Sequence, residues 1–205
     1  MTKPKYWEAG RKYLIKKDKI LANLIKKYPG HLKSRKDPFF SLCKSIVGQQ
    51  ISVQAANSVW KKFELKSKEI KPENVLKLTS RQLATCGLSR QKIIYLKILA
   101  KKFKNKEINI RKMKKMNDDQ AIQHLIVVKG IGRWTAEMFL FFNQLRPNIF
   151  PIQDIGLLRA ISKNYKISYP PNKTQLDRFN KKWSPYCTVA TWYLWRSIDP
   201  VVVSY

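Results

Sequence analysis

An all-α fold is what this sequence predicts, on three observations. Its apolar residues recur with the helical period and not in alternation. Capping residues and glycines punctuate that period at intervals of one helix length. Strand-like composition is confined to one short terminal stretch, Val201-Val202-Val203. No repeat of 20–50 residues, low-complexity tract or linker-like shift in composition interrupts the pattern. The expectation is one compact helical unit over 1–205, built as two lobes with a cleft.

The elements follow in order. Tyr13, Leu14, Leu21, Leu24 and Ile25 make an apolar stripe on a basic helix. Asp37-Pro38 reads as a helix start, with Asp capping and Pro in the first turn. A helix is expected over 39–63, with Gly48 inside it as a packing position or a break. Residues 80–86 form a short helix that stops at Gly87. Ser89 caps the next, which carries Ile93, Ile94, Leu96, Leu99, Ala100 and Phe103. Residues 104–116 are a basic connector. Asn117 with Gln120 forms a capping-box pattern. A helix to about Val127, a turn, and a helix over 133–143 give a helix-hairpin-helix over about 117–143. Further helices follow Asp154 and Asn172, and Ser184-Pro185 opens the last, through Trp195.

Composition narrows the partner. The 205 residues are 44% hydrophobic, which describes a folded chain and not a basic tail. Lys and Arg number 42 against 13 acidic residues, a net charge of +29. AT-rich coding explains 32 Lys over 10 Arg, but not the scarcity of Asp and Glu, so a nucleic-acid partner is expected. No apolar run is long enough to span a membrane, and residues 1–19 lack the apolar block of a secretory leader. That predicts a cytoplasmic protein with no membrane partner, at the nucleoid if bacterial. Three isolated cysteines, Cys43, Cys86 and Cys187, are too few for a four-cysteine iron–sulfur cluster and read as buried thiols. His31 and His124 stand alone, so no metal is required.

The segment over 125–136, LIVVKGIGRWTA, is the most informative. Two glycines allow a tight turn and close approach of a ligand. Amides near Gly130 and Gly132, at the start of a helix, suit an anion, and Lys129 and Arg133 add positive charge. Such a hairpin grips a nucleic-acid backbone without reading its sequence. Asp154 lies 22 residues beyond Gly132, behind a proline-bearing apolar loop. It reads as the N-cap of the next helix, and a capping Asp can also be a catalytic one.

GIGRWTA over 130–136 followed by PIQD over 151–154 resembles the helix-hairpin-helix DNA glycosylase superfamily, and within it the 3-methyladenine DNA glycosylase II family. IVGQQIS over 46–52, CGLSRQK over 86–92 and TWYLWR over 191–196 agree in the same order, so the likeness runs from about Asp37 to Pro200. The resemblance implies a two-lobed helical fold with the active site in the interlobe cleft, and a monomer acting on duplex DNA with a damaged base. It implies no cofactor. Asp154 becomes the catalytic carboxylate, and Trp134 and Trp195 the base-pocket aromatics, with Trp192 and Tyr186 as further candidates. The hairpin contacts are Lys129, Gly130, Ile131, Gly132, Arg133 and Thr135. Gln49, Gln50 and Ser52 would hold the opened stack. Carbonyls of Ile126, Val128 and Ile131 match positions that hold a structural alkali ion in DNA-bound relatives.

Three departures from the family stand out. Lys129 replaces the usual Pro before the first hairpin Gly. The 36 residues before Asp37 are helical in pattern, so the N-terminal β domain of some members is not expected. Gln50 stands where many members have an apolar wedge. At Trp134 the bifunctional relatives have a Lys that attacks the sugar, so this chain is expected to be monofunctional. The function expected is excision of alkylated purines of the 3-methyladenine and 7-methylguanine type. A non-catalytic helix-hairpin-helix binding protein, a glycosylase for other damaged bases, and a generic basic ribosomal protein remain open readings.

Overall fold

The structure, a computed structural model, describes residues 3–34 and 37–199. Val201-Val202-Val203 therefore lies outside the described residues. Within them the chain is helical, with no strand. Two compact units divide it: one holds the described residues of 3–34 and 140–199, the other those of 37–139. Helices α1 (Trp7–Lys17), α2 (Lys19–Lys27), α11 (Ile155–Tyr165), α12 (Lys173–Trp183) and α13 (Cys187–Ile198) belong to the first unit. To the second belong α3 (Pro38–Gly48), α4 (Val53–Ser67), α5 (Pro72–Lys77), α6 (Ser80–Ala84), α7 (Arg90–Lys104), α8 (Ile110–Met113) and α9 (Asp118–Ile126). The chain passes from the second unit to the first within α10 (Arg133–Phe142).

In the first unit α13 is the central helix, against which α1, α2, α11 and α12 pack. Every residue of α13 from Cys187 to Trp195 is buried. Trp7, Leu14, Leu21 and Trp183 are fully enclosed around it, as is its own Tyr193. The expected single stripe over 13–25 is two helices. Asp18 adopts an extended conformation, ending α1, and its Oδ1 accepts the amides of Ile20 and Leu21 to cap α2. The apolar period continues across the break because both helices face the same core, which is why periodicity alone joined them.

In the second unit α7 is the backbone of the packing, touching α3, α5 and α6. The helix expected over 39–63 is broken at 49–52. Gln50 takes a left-handed φ of 57°, and the Ser52 hydroxyl accepts the Ala55 amide to start α4 afresh. Gly48 marks that break and is the last residue of α3. Two short helices were not apparent in the pattern: α5, opened by Pro72, and α8, inside the basic connector. The caps at Asp37, Ser89, Asn117 and Asn172 form as the sequence suggests, the last two as reciprocal capping boxes. Ser184-Pro185 is a cis peptide two residues before α13, whose N-cap is Tyr186.

Cys43, Cys86 and Cys187 are all free and buried. Burial raises each thiol above its ordinary value, that of Cys187 to about 12. No helix among the described residues is long and apolar enough to cross a membrane.

Candidate active site and nucleic-acid interface

The hairpin between α9 and α10 belongs to the second unit. Leu125 and Val128 are fully buried and anchor its first arm. The turn closes with the Ile131 amide on the Val128 carbonyl at 2.9 Å, and the Gly132 carbonyl accepts the first bond of α10, from Ala136 at 3.0 Å. The opening turn of a helix leaves its N–H groups without intrahelical acceptors, so this edge is rich in donors.

The two glycines have different reasons to be glycine. Gly130 has φ +95°, and a Cβ there would collide with the Cγ–Cδ2 edge of the Tyr95 ring. Tyr95 on α7 thus forms the floor of the turn, steadied by a bond from Gln91 Nε2 to its hydroxyl. A Cβ on Gly132 would meet no atom within 4 Å, and its φ is unremarkable. The fold needs glycine at 130, and no neighbouring atom requires it at 132. Gly130→Ala is expected to cost about 2–3 kcal/mol through overpacking and left-handed strain, seen as a lowered melting temperature. Gly132→Ala should melt within about 0.5 kcal/mol of wild type, since it loses no native contact. Equal loss of stability in both variants would contradict the distinction.

Around the turn the expected contact residues have distinct settings. Lys129 is exposed. Arg133 is half in solvent, but its guanidinium is held by Glu137, Nε to Oε1 at 3.0 Å, and by Asp119 at 3.3 Å. It therefore braces α9 against α10 as well as adding charge. Ile131 and Thr135 are buried, so their side chains are closed off from any ligand. The Val128 carbonyl already accepts the Ile131 amide, which leaves it one lone pair toward any cation shared with the carbonyls of Ile126 and Ile131. No group of three or more His, Cys, Asp or Glu among the described residues is placed to hold a metal. Trp134, in the first turn of α10, is half-buried.

The three residues at the α3–α4 break also separate. The Gln49 side chain turns inward and donates from Nε2 to the Gly130 carbonyl at 2.9 Å. Ser52 spends its hydroxyl on capping. Gln50 is exposed. Behind them, Lys92 of α7 donates from Nζ to the Val47 carbonyl at 2.7 Å, and its partial burial lowers its pKa. The ties from Gln49, Tyr95 and Lys92 join segments far apart in the chain and had no local sequence signal.

Asp154 belongs to the first unit. It is buried at the N-cap of α11. Its Oδ1 accepts the Leu157 amide at 2.6 Å and the indole Nε1 of Trp195 at 2.8 Å. The Trp195 ring stacks on Phe142, with centroids 5.9 Å apart and planes within 7°, and meets Phe141 at 4.9 Å. Gly156 leaves room here: a Cβ would come to 3.1 Å from Asp154 Oδ1 and 3.5 Å from the Trp195 ring. The sequence suggested both residues separately; their direct bond is new. Trp192 and Tyr186 are set elsewhere in the same unit, against α1. Trp192 meets Trp7 edge-on at 5.3 Å, and Tyr186 packs on Tyr13 and over Gly10.

A donor-rich hairpin and a buried carboxylate at a helix start, hydrogen-bonded to an indole, define a class that comparison with known proteins identifies. Residues 43–185 match the HhH-GPD superfamily of base excision DNA repair proteins, and the chain belongs to that family. It is 28% identical over 184 residues to DNA-3-methyladenine glycosylase 1 of Schizosaccharomyces pombe, covering 87% of this chain and 81% of that one. To a DNA-3-methyladenine glycosylase of Bacillus subtilis it is 31% identical over 196 residues, 89% of this chain but 65% of that relative's length. Its fold is similar to the crystal structure of a DNA-3-methyladenine glycosidase from Bacillus halodurans, with TM-score 0.84 and 28% identity, covering 96% of this chain and 92% of the other.

Proposed function

We propose that this protein is a base-excision DNA glycosylase that removes alkylated purines of the 3-methyladenine and 7-methylguanine type by hydrolysis, without strand cleavage. The buried Asp154 carboxylate at the start of α11 carries this reading, in a chain of the HhH-GPD superfamily.

A base inside a duplex is out of reach, so it must first be turned out of the stack. The hairpin amides at Gly130, Gly132 and the start of α10, with Lys129 and the half-exposed Arg133, hold a phosphate of the damaged strand while Gln50 enters the opened stack. In the chemical step the bond from C1′ to the base nitrogen breaks and its electron pair leaves with the base. A purine methylated at N3 or N7 already carries positive charge and leaves as a neutral molecule. The sugar becomes oxocarbenium-like, and the Asp154 carboxylate stabilises that charge and orients the incoming water. Water oxygen bonds to C1′, and its proton passes to solvent.

Trp134 supports selection of a cationic base, since an aromatic face attracts a desolvated cation by about 0.5–2 kcal/mol. Trp195 contributes its ring and, through Nε1, fixes the carboxylate. Because Trp134 has no amine, no Schiff base with the sugar forms there.

The test is release of methylated purine from alkylated duplex DNA. Free base and an alkali-labile but unbroken strand are the expected products, and borohydride should trap no covalent complex. Binding without release would leave the chain as a binding protein; a trapped complex would make it a lyase.

A further inference from the structure

Gln49 and Gln50 are neighbours with opposite orientations. Gln49 is bonded to the Gly130 carbonyl at 2.9 Å, across 81 positions of sequence. Gln50 is exposed and held at a φ of 57°, a conformation that residues other than glycine keep only where the surroundings impose it. What surrounds it is the Gln49 tie on one side and the Ser52 cap on the other. Both the 49–52 turn and the hairpin are seated on α7, through Lys92 on Val47 and through Tyr95 beneath Gly130. Gln49 bonds one loop directly to the other, and the Gly130 carbonyl it holds lies two residues before the exposed Gly132.

We propose that Gln49 is a positioning residue that couples the two DNA contacts, so that capture of a phosphate by the hairpin and entry of Gln50 into the stack strengthen each other. The inference rests on the reading above, in which both loops touch DNA. With the bond in place, ordering one loop orders the other, and the entropy lost on the first contact is not lost again on the second. Without it the loops engage independently.

A double-mutant cycle tests this. Affinity for a duplex carrying a stable abasic-site analogue is measured for Gln50→Ala, Gly132→Ala and the pair, in three backgrounds: wild type, Gln49→Ala and Gln49→Met. Met keeps the length of Gln but has no donor, and melting temperatures show that each variant is folded. In the wild-type background the two losses should depart from additivity by about fivefold or more. In both Gln49 backgrounds they should combine to within about twofold of additivity. The same departure in all three backgrounds, or additivity with Gln49 intact, would overturn the coupling. If neither Gln50→Ala nor Gly132→Ala changes affinity, the coupling also fails, whereas release of methylated purine by the unaltered protein independently decides whether the glycosylase reading stands.

Discussion

Replacing Asp154 by Asn is expected to lower single-turnover release of a methylated purine by on the order of 10³-fold, about 4 kcal/mol of lost transition-state stabilisation, while leaving the fold almost intact. The separation follows from where its bonds fall. Leu157 N–H and Trp195 Nε1 both donate to Oδ1. An Asn carbonyl oxygen takes over both, and Asn caps helices as well as Asp does. What Asn cannot supply is the carboxylate charge. Asp154→Ala would add a structural penalty of about 2 kcal/mol, because a buried amide and a buried indole N–H would lose their acceptor. Trp195→Phe probes the same pair from the other side: it keeps an aromatic ring against Phe142 but no donor, and should slow release by about tenfold, the worth of one hydrogen bond to a charged group. Release by Asp154→Asn within a few-fold of wild type would remove that residue from the mechanism.

The largest effect on stability is expected at Asp18, far from Asp154 in sequence and 2% exposed. Its Oδ1 caps α2 through Ile20 and Leu21. Its Oδ2 accepts Tyr165 OH at 2.8 Å, Trp183 Nε1 at 3.0 Å and Lys182 Nζ at 2.9 Å. Five donors converge on one carboxylate, tying the α1–α2 junction to α11 and α12. In Asp18→Asn the amide group must face donors with donors of its own. The cost should be about 3–4 kcal/mol, a melting temperature lower by about 10 °C. Burial pushes the Asp18 carboxyl up, but bonds from Trp183, Lys182, Tyr165 and the Leu21 amide outweigh it and hold the group below the ordinary carboxylate value. A depressed folded pKa stabilises fully above the unfolded value of about 4, and that stability is lost as pH falls below it toward the lower folded value. The gap in stability between wild type and Asp18→Asn should therefore be largest at neutral pH and shrink on acidification below pH 4. A gap that stays constant down to pH 2 would show that the charge contributes nothing.

Much of the fold was legible because its signals are local. Asp37, Ser89, Asn117 and Asn172 cap helices through side chains that reach only three residues, and the sequence displays such short-range chemistry directly. The breaks at Asp18 and at 49–52 were not legible. There the apolar period runs on without a phase change and masks two local caps, Asp18 on Ile20 and Leu21 and Ser52 on Ala55, and the left-handed φ of Gln50 leaves no mark in the pattern. The candidate site divides the same way. Asp154, the hairpin and the aromatics of TWYLWR could be picked out as residue types at family spacing. That Trp195 fixes Asp154, that Gln49 holds Gly130, and that Glu137 and Asp119 occupy Arg133 are contacts over distances that periodicity does not encode. The missed helix α5 is six residues long, too short for a period to register.

The placement of the three thiols has a consequence for the conditions under which the proposed reaction matters. Methylated purines accumulate when electrophiles enter the cell, and the same electrophiles attack protein sulfur, which reacts as the thiolate. Cys43, Cys86 and Cys187 are closed off from solvent, and burial keeps each protonated at neutral pH. The protein thus presents no ready thiolate to the agents whose damage it would repair, and should keep its activity through an exposure that inactivates enzymes with an open, low-pKa cysteine.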